Sequence, residues 1–434
     1  MPTPMSDPPT NVTPRVAPKL AFGTGGSVVV TACQACGSID LEPVLFVGYL
    51  PPVNTMPPIG TRPTEQPAYP AQALRCPRCE LVQLGLVVDP RILFPPEYPY
   101  TSATTKILRE NFAELYREVR ALLSPKDSDL VVDIGSNDGT LLRNFKDGGL
   151  RVRGVEPTDQ GRRANEAGIP TDVTFFGETA ARQIVTREGR AAIVTAANVF
   201  AHIEDVHAII DAVAELLSDD GVFITESHYW LALVETLQYD TIYHEHLRYY
   251  SLTSLRNLLA MHGFETFHAK RIPTHGGSIR VYAARRGQRT AEKSVKDLLA
   301  LEASTLTPQR LASFQAKVTE SKLGLLGLLR DIRARGERVY GVGAPSRSST
   351  LINYVGLDEG IIECVCEIAG SHKIGKYIPG TLIPVVDEEQ LFAEQPEHAL
   401  LFSWHIADEL MPKLKARGFR GRFIVPLPDP RVVG

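Results

Sequence analysis

The chain has 434 residues, of which 44% are hydrophobic and 22% charged, with a formal net charge of −4 at pH 7, and this is enough for about three globular domains. The small net charge gives no electrostatic footprint for nucleic acid, no apolar run is long enough to span a membrane, and the N-terminus lacks the pattern of a secretion signal. We therefore expect a cytoplasmic protein that binds neither nucleic acid nor membrane.

Two CxxC pairs, at positions 33–36 and 76–79, are the main feature of the N-terminal region. Residues 1–26 are rich in Pro, Thr and Ser and predict a flexible tail, whereas residues 27–95 predict an irregular, Pro-rich domain built around the cysteines. Each pair can direct two thiolates at one tetrahedral ion, although the linker between the pairs is longer than in a usual zinc ribbon. Disulfides are disfavoured in the cytosol, and a redox CxxC needs a strand-to-helix context that these pairs lack. We therefore expect a structural Zn²⁺ ion, with the ligands Cys33, Cys36, Cys76 and Cys79.

An amphipathic helix is predicted over Lys106–Leu123, because apolar residues recur there at helical spacing. It belongs to a domain that we place at residues 96–285. The strongest motif of this domain is Val131–Leu142, which predicts a buried strand, a tight turn with two glycines and the start of a helix. The turn matches neither GxGxxG nor a P-loop. Its acidic residues repel a pyrophosphate and suit a ligand with a cationic amine.

Three further segments extend this strand-and-loop pattern. The strand Arg151–Val155 is followed by Glu156, whose carboxylate can accept both hydroxyls of a ribose. Segment 192–203 predicts a fourth strand with its loop, and segment 216–226 predicts a helix end, a turn and a fifth strand. Together with the (D/E)xGxxxG motif at 133–139, they resemble the core of class I S-adenosylmethionine-dependent methyltransferases. The resemblance implies an α/β fold that binds this cofactor through Asp133, Gly135, Asn137, Gly139, Glu156 and Asn198.

The segment Gln238–Tyr250 concentrates two histidines, one glutamate and four tyrosines in thirteen residues. Such a set is costly to bury and unusual on a surface. The spacing of its HExH is too short for the HExxH zinc helix, although a mononuclear metal site built from His244, Glu245 and His246 stays an alternative. Acid and base chemistry is favoured instead, because a histidine takes up a proton near neutral pH and a glutamate can orient it.

The remaining sequence predicts connecting helices at 286–335 and a second, smaller Rossmann-like domain at 336–434. A strand at 338–342 leads through a glycine loop into a helix, and short strands are expected at 361–366, 398–402 and 422–425. A loop that enters a helix favours anions. Ser346 and Arg347 are therefore candidates for binding a substrate phosphate, with an ordinary turn as the alternative.

Five features in combination make the resemblance more specific. They are the paired CxxC motifs, the class I core, Tyr-x-Glu-His at 243–246, His-Gly-Gly-Ser at 275–278 and Gly-Ala-Pro at 343–345. Together they are similar to the nucleotide-sugar C-methyltransferases over nearly the whole chain. The resemblance implies a dTDP-linked or other NDP-linked 4-keto deoxysugar as substrate. It also implies a catalytic set of Tyr243, Glu245, His246, His202 and a tyrosine of the Tyr-Pro-Tyr segment, either Tyr98 or Tyr100.

The chain departs from these relatives at two places, Ser346–Ser349 and Cys366–Ile368, which leaves the identity of the sugar nucleotide open. A carbon next to a ketone loses its proton only if the enolate is stabilised. We expect His246 to remove that proton with Glu245 orienting it, Tyr243 and His202 to hold the enolate oxygen, and the hairpin at His275 and Gly276 to close over the sugar. The alternatives are an O-methyltransferase of a small metabolite and a non-catalytic scaffold. A monomer or a small homo-oligomer is expected.

Overall fold

The computed structural model describes residues 26–93 and 106–434, so Tyr98 and Tyr100 lie outside the described residues. None of the helices in those two ranges combines the length and the apolar character that a membrane span needs. The helices are α1 Pro90–Leu93, α2 Lys106–Leu123, α3 Thr140–Asp147, α4 Asp159–Glu166, α5 Glu178–Glu188, α6 Val206–Leu216, α7 Trp230–Glu235, α8 Leu252–Met261, α9 Lys293–Thr305, α10 Pro308–Ala334, α11 Ser346–Val355, α12 Glu389–Glu394 and α13 Ala407–Ala416.

In the described part of the chain, the strands form a two-stranded, a four-stranded, a seven-stranded and a six-stranded sheet. They are β1 Val28–Val29, β2 Glu42–Leu50, β3 Tyr69–Arg75, β4 Val82–Leu84, β5 Leu86–Val87, β6 Leu130–Ile134, β7 Arg151–Val155, β8 Thr171–Asp172, β9 Ala191–Ala197, β10 Leu217–His228, β11 Arg248–Tyr249, β12 Phe264–Ile272, β13 Ser278–Arg285, β14 Val339–Val342, β15 Val365–Glu367, β16 Val385–Asp387, β17 His398–Leu401, β18 Arg422–Val425 and β19 Arg431–Val433.

The N-terminal region is more regular than we expected. Four antiparallel strands lie in the order β11-β4-β3-β2, and β1 pairs with β5. The expectation of an irregular domain was wrong, because Leu45 and Val47 on β2 and Ala71 and Ala73 on β3 alternate with more exposed residues and give the sheet a buried face. Strand β11 comes from the segment that follows the Tyr-x-Glu-His motif, so this segment is hydrogen-bonded into the N-terminal sheet.

The seven-stranded sheet has the order β8-β7-β6-β9-β10-β13-β12. Its strands are parallel except β13, which runs antiparallel to both β10 and β12. Strands β6 and β9 are adjacent but separated in sequence by two strands, so the loops after them diverge and leave a crevice at the carboxyl ends. The predicted class I methyltransferase fold is confirmed, including the helix α2 over Lys106–Leu123.

The six-stranded sheet has the order β16-β15-β14-β17-β18-β19, with β19 alone antiparallel to its neighbour. It is Rossmann-like, as expected, but one predicted strand was placed too early. The strand expected at 361–366 is β15, which begins at Val365, because the amides of Ile361 and Ile362 both donate to the carbonyl of Asp358 and form a turn. Strands β16 and β19 were not predicted.

One hydrophobic core joins the N-terminal and C-terminal sheets. It combines Leu45 and Ala73 of the N-terminal sheet, Trp230 of α7, Phe314 of the long helix α10 and Leu351 of α11. Because these residues come from all regions of the described chain, the sheets share buried surface, and burial of apolar surface is the main force that holds them together.

Candidate active site

The predicted cofactor residues surround the carboxyl ends of β6, β7 and β9. Gly135 has φ +65°, and a Cβ there would lie 2.5 Å from Val199 Cγ2, so that only glycine fits. Asn137 also has a positive φ, of 50°, and its amide donates to Glu156 Oε2 at 3.1 Å. Gly139, with φ +76°, is the residue before α3. The loop therefore turns back over the end of β6, and it is hydrogen-bonded to the carboxylate of Glu156, the residue after β7.

Glu156 is held in place by three donors. Besides the Asn137 amide, its Oε1 accepts from the amide of Thr158 at 2.9 Å and from the Thr158 hydroxyl at 2.6 Å. Asp133, at the end of β6, accepts from the Thr195 hydroxyl at 2.6 Å. Burial raises the pKa of Asp133 to about 7, and the nearby charges of Glu156 and Glu226 add to the effect.

Asn198 completes this group from the loop after β9. It has φ +60°, and its side-chain Oδ1 is buried without a hydrogen-bond partner among the described residues. An asparagine in a left-handed conformation with an unused acceptor is the kind of strained, unsatisfied group that a ligand completes. The glycine turn, the fixed carboxylate of Glu156 and this acceptor fit S-adenosylmethionine.

The four predicted metal ligands converge on one point. Their sulfur atoms all lie within 4.8 Å of one another, and within the two described ranges no other set of His, Cys, Asp or Glu ligand atoms does so. Cys33 Sγ is 3.5 Å from Cys79 Sγ, and Cys36 Sγ is 3.5 Å from Cys76 Sγ. Sulfur ligands of a tetrahedral Zn²⁺ with bonds of about 2.3 Å lie about 3.8 Å apart, so this arrangement fits Zn²⁺.

Four imidazoles meet beside the cofactor loops. The ring of His246 lies 5.0 Å from that of His202 and 4.7 Å from that of His228, and the ring of His228 lies 5.4 Å from that of His275. They come from the loop after β9, the end of β10, the Tyr-x-Glu-His segment and the β12–β13 hairpin. The Tyr243 ring packs against His246 at 4.2 Å. The structure thus brings together the predicted residues Tyr243, His202, His246 and His275.

Backbone contacts fix the orientation of His246. Its Nδ1 lies 2.9 Å from the carbonyl oxygen of Thr241. Since a carbonyl only accepts, Nδ1 must carry the proton, and in the neutral ring Nε2 is then left with a lone pair. Burial lowers the pKa of His246 well below its usual range, and His202, His275 and Arg347 lower it further. His246 is therefore neutral at pH 7 and has the protonation state of a base.

Burial also keeps the neighbouring imidazoles neutral. It lowers the pKa of His202 and of His275 to about 4, and the pKa of His228 falls well below its usual value because of burial and the charges of the adjacent groups. Neutral imidazoles that lie this close do not repel one another, and each carries one N–H that can donate to an oxygen.

Glu245 is oriented from the N-terminal region. Its Oε1 accepts from Asn54 Nδ2 at 2.6 Å, and its backbone accepts from His202. The positive charge of Lys373, in the C-terminal sheet region, also interacts with Glu245. Glu245 is thus a point where three regions of the chain meet.

The His275 hairpin has an unusual backbone. His275, Gly276 and Gly277 have φ values of +55°, +88° and +123°, and a Cβ on Gly276 would lie 2.5 Å from Gln238 Oε1. Buried His275 Nε2 has no hydrogen-bond partner in the described part of the chain. Strain combined with an unsatisfied polar atom at a cleft indicates a ligand-binding role.

The structure gives Arg347 partners that differ from the predicted phosphate. Arg347 lies in the first turn of α11, beside Ser346, and it is only 6% exposed. Its guanidinium binds Asp240, with Nε 3.1 Å from Oδ2. Lys373, in contrast, donates to the carbonyl of Ala344 in the glycine loop, and it has no carboxylate within ion-pair distance among the described residues.

Sequence reasoning missed three residues of this site, His228, Asn54 and Lys373. His228 had a signal, because it is a polar residue at the carboxyl end of a parallel strand, where ligands bind in such folds. Asn54 and Lys373 had none, since each is distant in sequence from the residues it approaches. His244, which we did not assign to catalysis, faces the N-terminal sheet, where its Nε2 lies 3.3 Å from the carbonyl of Pro70.

Comparison with known protein families agrees with this architecture. A zinc binding domain model matches residues 33–94, a methyltransferase domain model matches residues 107–269, and a model of the C-methyltransferase C-terminal domain matches residues 273–428. Among solved structures, the magnesium protoporphyrin IX methyltransferase (ChlM) from Synechocystis PCC 6803 is 16% identical and covers 41% of this chain and 79% of its own, with a TM-score of 0.32.

Two curated relatives differ in how much of the chain they match. A ubiquinone biosynthesis O-methyltransferase from Paramagnetospirillum magneticum is 24% identical over 31% of this chain and 55% of its own length. The C-methyltransferase NovU from Streptomyces niveus is 33% identical over 93% of this chain and 97% of its own length. The chain therefore belongs to the C-methyltransferase family, and it is an S-adenosylmethionine-dependent C-methyltransferase with a zinc-binding N-terminal domain.

Proposed function

We propose that the substrate is a nucleotide-linked 4-keto deoxysugar and that the methyl group is transferred to a carbon next to the ketone. The observation that carries this proposal is the state of His246, a buried, neutral imidazole whose Nδ1 proton is committed to the Thr241 carbonyl. Methylation at carbon needs a base for an acidic C–H, and this ring offers a lone pair in a water-poor site.

His246 Nε2 takes the proton from the carbon next to the ketone. The electron pair of that C–H bond forms a carbon–carbon double bond, and the ketone oxygen becomes an enolate. When bound, S-adenosylmethionine would supply the electrophilic methyl group. The enolate carbon forms a bond to this methyl carbon as the methyl–sulfur bond breaks, its electron pair stays on sulfur in the leaving S-adenosylhomocysteine, and the ketone reforms. His246 then releases the proton to solvent. The enolate charge also stabilises the imidazolium of His246, which compensates for the low pKa of this residue in the free protein.

Neutral donors around His246 hold the enolate oxygen. The Tyr243 hydroxyl and the N–H groups of His228 and His275 are candidates, since their rings lie in the same cluster. Donors that are already in place when negative charge develops lower the barrier more than groups that must reorient. His202 uses a ring N–H on the Glu245 backbone, so we assign it to positioning that segment.

The diphosphate of the substrate lies, in this proposal, at the glycine loop before α11. Lys373 is half-buried next to Ala344, and a diphosphate would provide the counter-charge that the described residues do not place within ion-pair distance. Burial lowers the pKa of Lys373, while the carboxylates of Glu367 and Glu245 oppose that shift. Lys373 therefore replaces Arg347 as our candidate for the phosphate contact, with Ser346 at the start of the helix.

Exchange of substrate protons with solvent tests this function. With S-adenosylhomocysteine present, a 4-keto sugar nucleotide incubated in D₂O should gain deuterium at the reacting carbon. The His246→Ala variant should lose both exchange and methyl transfer by about 10²–10⁴-fold, the usual contribution of a general base. His244→Ala is the matched control, because His244 faces away from the cluster. Methyl transfer to an oxygen of a 4-hydroxy analogue, with His246→Ala fully active, would instead establish O-methylation.

A further inference from the structure

Arg347 is a buried cation that contacts both its own domain and the methyltransferase domain. Nη1 lies 2.8 Å from His405 Nδ1, and Nη2 donates to Gln238 Oε1 at 2.9 Å. Asp240 receives the other contacts, at 3.1 Å from Nε to Oδ2 and 3.3 Å from Nη2 to Oδ1. Except for His405, these partners belong to the methyltransferase domain, so the guanidinium fork connects the two domains.

Two residues of the C-terminal domain, Arg347 and Trp404, hold the carboxylate of Asp240 in place. It is fully buried, and its Oδ2 also accepts from Trp404 Nε1 at 2.8 Å. The Trp404 ring in turn lies under the guanidinium of Arg347, with its centroid 5.2 Å from Cζ. A charged pair with both members buried keeps its geometry only when such additional contacts satisfy it.

Asp240 is directly followed by Thr241, the residue that determines the tautomer of His246. The Thr241 carbonyl accepts the Nδ1 proton of His246 at 2.9 Å, and the Thr241 hydroxyl donates back to the Gln238 carbonyl at 2.8 Å. Arg347 therefore contacts two residues of the short turn 238–241, namely Gln238 and Asp240. The carbonyl of Thr241, the last residue of that turn, orients His246.

The same turn also supports the His275 hairpin. Gln238 accepts from Arg347 through Oε1, and its Nε2 donates to the Gly276 carbonyl at 2.6 Å. Because a Cβ on Gly276 would lie 2.5 Å from Gln238 Oε1, the hairpin backbone is in close contact with this side chain. The Arg347 guanidinium is thus connected to His246 through the turn 238–241. It is connected to the His275 hairpin through the side chain of Gln238.

We propose that Arg347 is a positioning residue. Through it, the C-terminal domain keeps the base His246 and the His275 hairpin in a fixed position relative to each other. This inference rests on the proposed role of His246. It assigns the C-terminal domain a part in the proton transfer itself, in addition to binding the substrate.

The charge of Arg347 adds a measurable effect on pH dependence. It lowers the pKa of His228, His246 and His275, because a nearby cation disfavours imidazolium. Loss of this charge should therefore raise the pKa of His246 and move the acid limb of the rate profile to higher pH. The titratable and charged groups that face His246 are His202, His228, Tyr243, Tyr249, His275 and Arg347.

The test compares Arg347→Gln, Arg347→Lys and the control Arg417→Gln, which removes two surface ion pairs of the same domain. The readouts are solvent deuterium exchange into the keto sugar nucleotide, the pH profile of kcat, and affinity for S-adenosylhomocysteine. In Arg347→Gln we expect exchange and kcat to fall about 10²-fold, the usual effect of a small misplacement of reacting groups, with the acid limb at higher pH and cofactor affinity unchanged.

Arg347→Lys keeps the positive charge but loses the planar guanidinium with its several donors. The acid limb of the pH profile of kcat should therefore stay at the wild-type pH, while the rate of solvent deuterium exchange still falls. This variant also provides the answer if Arg347→Gln does not fold. Wild-type exchange in Arg347→Lys, or an unchanged acid limb together with unchanged exchange in Arg347→Gln, would overturn the proposal. Failure of the proposed function is distinguished in proteins with Arg347 intact: a wild type without exchange, or a His246→Ala variant that retains exchange, would refute that function.

Discussion

A histidine acts as a base through a ring nitrogen that carries no proton, and in His246, the base that we propose, the backbone determines which nitrogen that is. The Thr241 carbonyl fixes the proton on Nδ1, and the buried surroundings keep the ring uncharged. Motif reasoning could propose His246 as a base, because the residue types suit acid and base chemistry. It could not assign the tautomer, which depends on a carbonyl five residues earlier.

The ribose contact that we expect of Glu156 leads to a prediction at the same scale. The carboxylate is oriented by the Asn137 amide and the Thr158 amide and hydroxyl, so its position does not depend on the ligand. Glu156→Ala should weaken binding of S-adenosylhomocysteine by about 10- to 100-fold, as expected for lost hydrogen bonds to a charged group. Calorimetry measures this, and Glu166→Ala, on the exposed face of α4, should bind as the wild type does. Equal affinities for the two variants would show that the ribose contact is misassigned.

Secondary structure elements were predictable where one periodicity dominates. The helix α2 and the strands β6, β7 and β9 follow from helical spacing or from buried strand patterns. The four-stranded N-terminal sheet was missed, since prolines and glycines interrupt it and its last strand, β11, comes from residues far along the chain. Pairing between distant segments leaves little local signal in a sequence.

Helix α2 is fixed to the central sheet by buried charges, which gives a prediction at the scale of elements. Arg280 on β13 is fully buried and binds Glu226 of β10 at 2.6 Å and Glu114 of α2 at 2.6 Å. Arg280→Met leaves Glu226 without its cation in the core. The free energy of unfolding, measured with urea, should therefore fall by about 3–5 kcal/mol.

The control for this variant is Arg286→Met, which removes an exposed pair with Glu265 and should cost less than about 1 kcal/mol. The loss in Arg280→Met should shrink at acid pH. Burial already raises the pKa of Glu226 while Arg280 opposes that shift, so without Arg280 the carboxyl is protonated more readily and its unpaired charge disappears. A loss that is equal in the two variants would mean that the buried network does not fix α2.

In the whole molecule, the candidate active site receives contacts from all three regions of the chain. Asn54 of the N-terminal region binds Glu245, Arg347 of the C-terminal region binds Asp240, and the cofactor loops belong to the central sheet. The domains could be recognised in the sequence one by one, because each has its own motif. The contacts that all three domains make with one segment could not be recognised in this way. A hydrogen bond between residues 191 positions apart leaves no pattern in the local sequence.

The zinc domain should therefore affect both stability and catalysis. Asn257 of α8 donates to the Cys79 carbonyl at 3.2 Å, and β4 pairs with β11, just after His246. Metal-binding energy is folding energy in such small domains, so the double variant Cys76→Ser/Cys79→Ser should lose Zn²⁺ and unfold at lower temperature. It should also methylate more slowly, because Asn54 loses its place beside Glu245.

Metal analysis of the pure protein should find about one Zn²⁺ per chain, the number that one tetrahedral set of four thiolates holds. Cys364→Ser, at a buried cysteine of the C-terminal region, should keep the metal. Zinc retained in the double variant, or absent from the wild type, would refute the assignment, and full activity without zinc would show that the position of Asn54 does not depend on the metal.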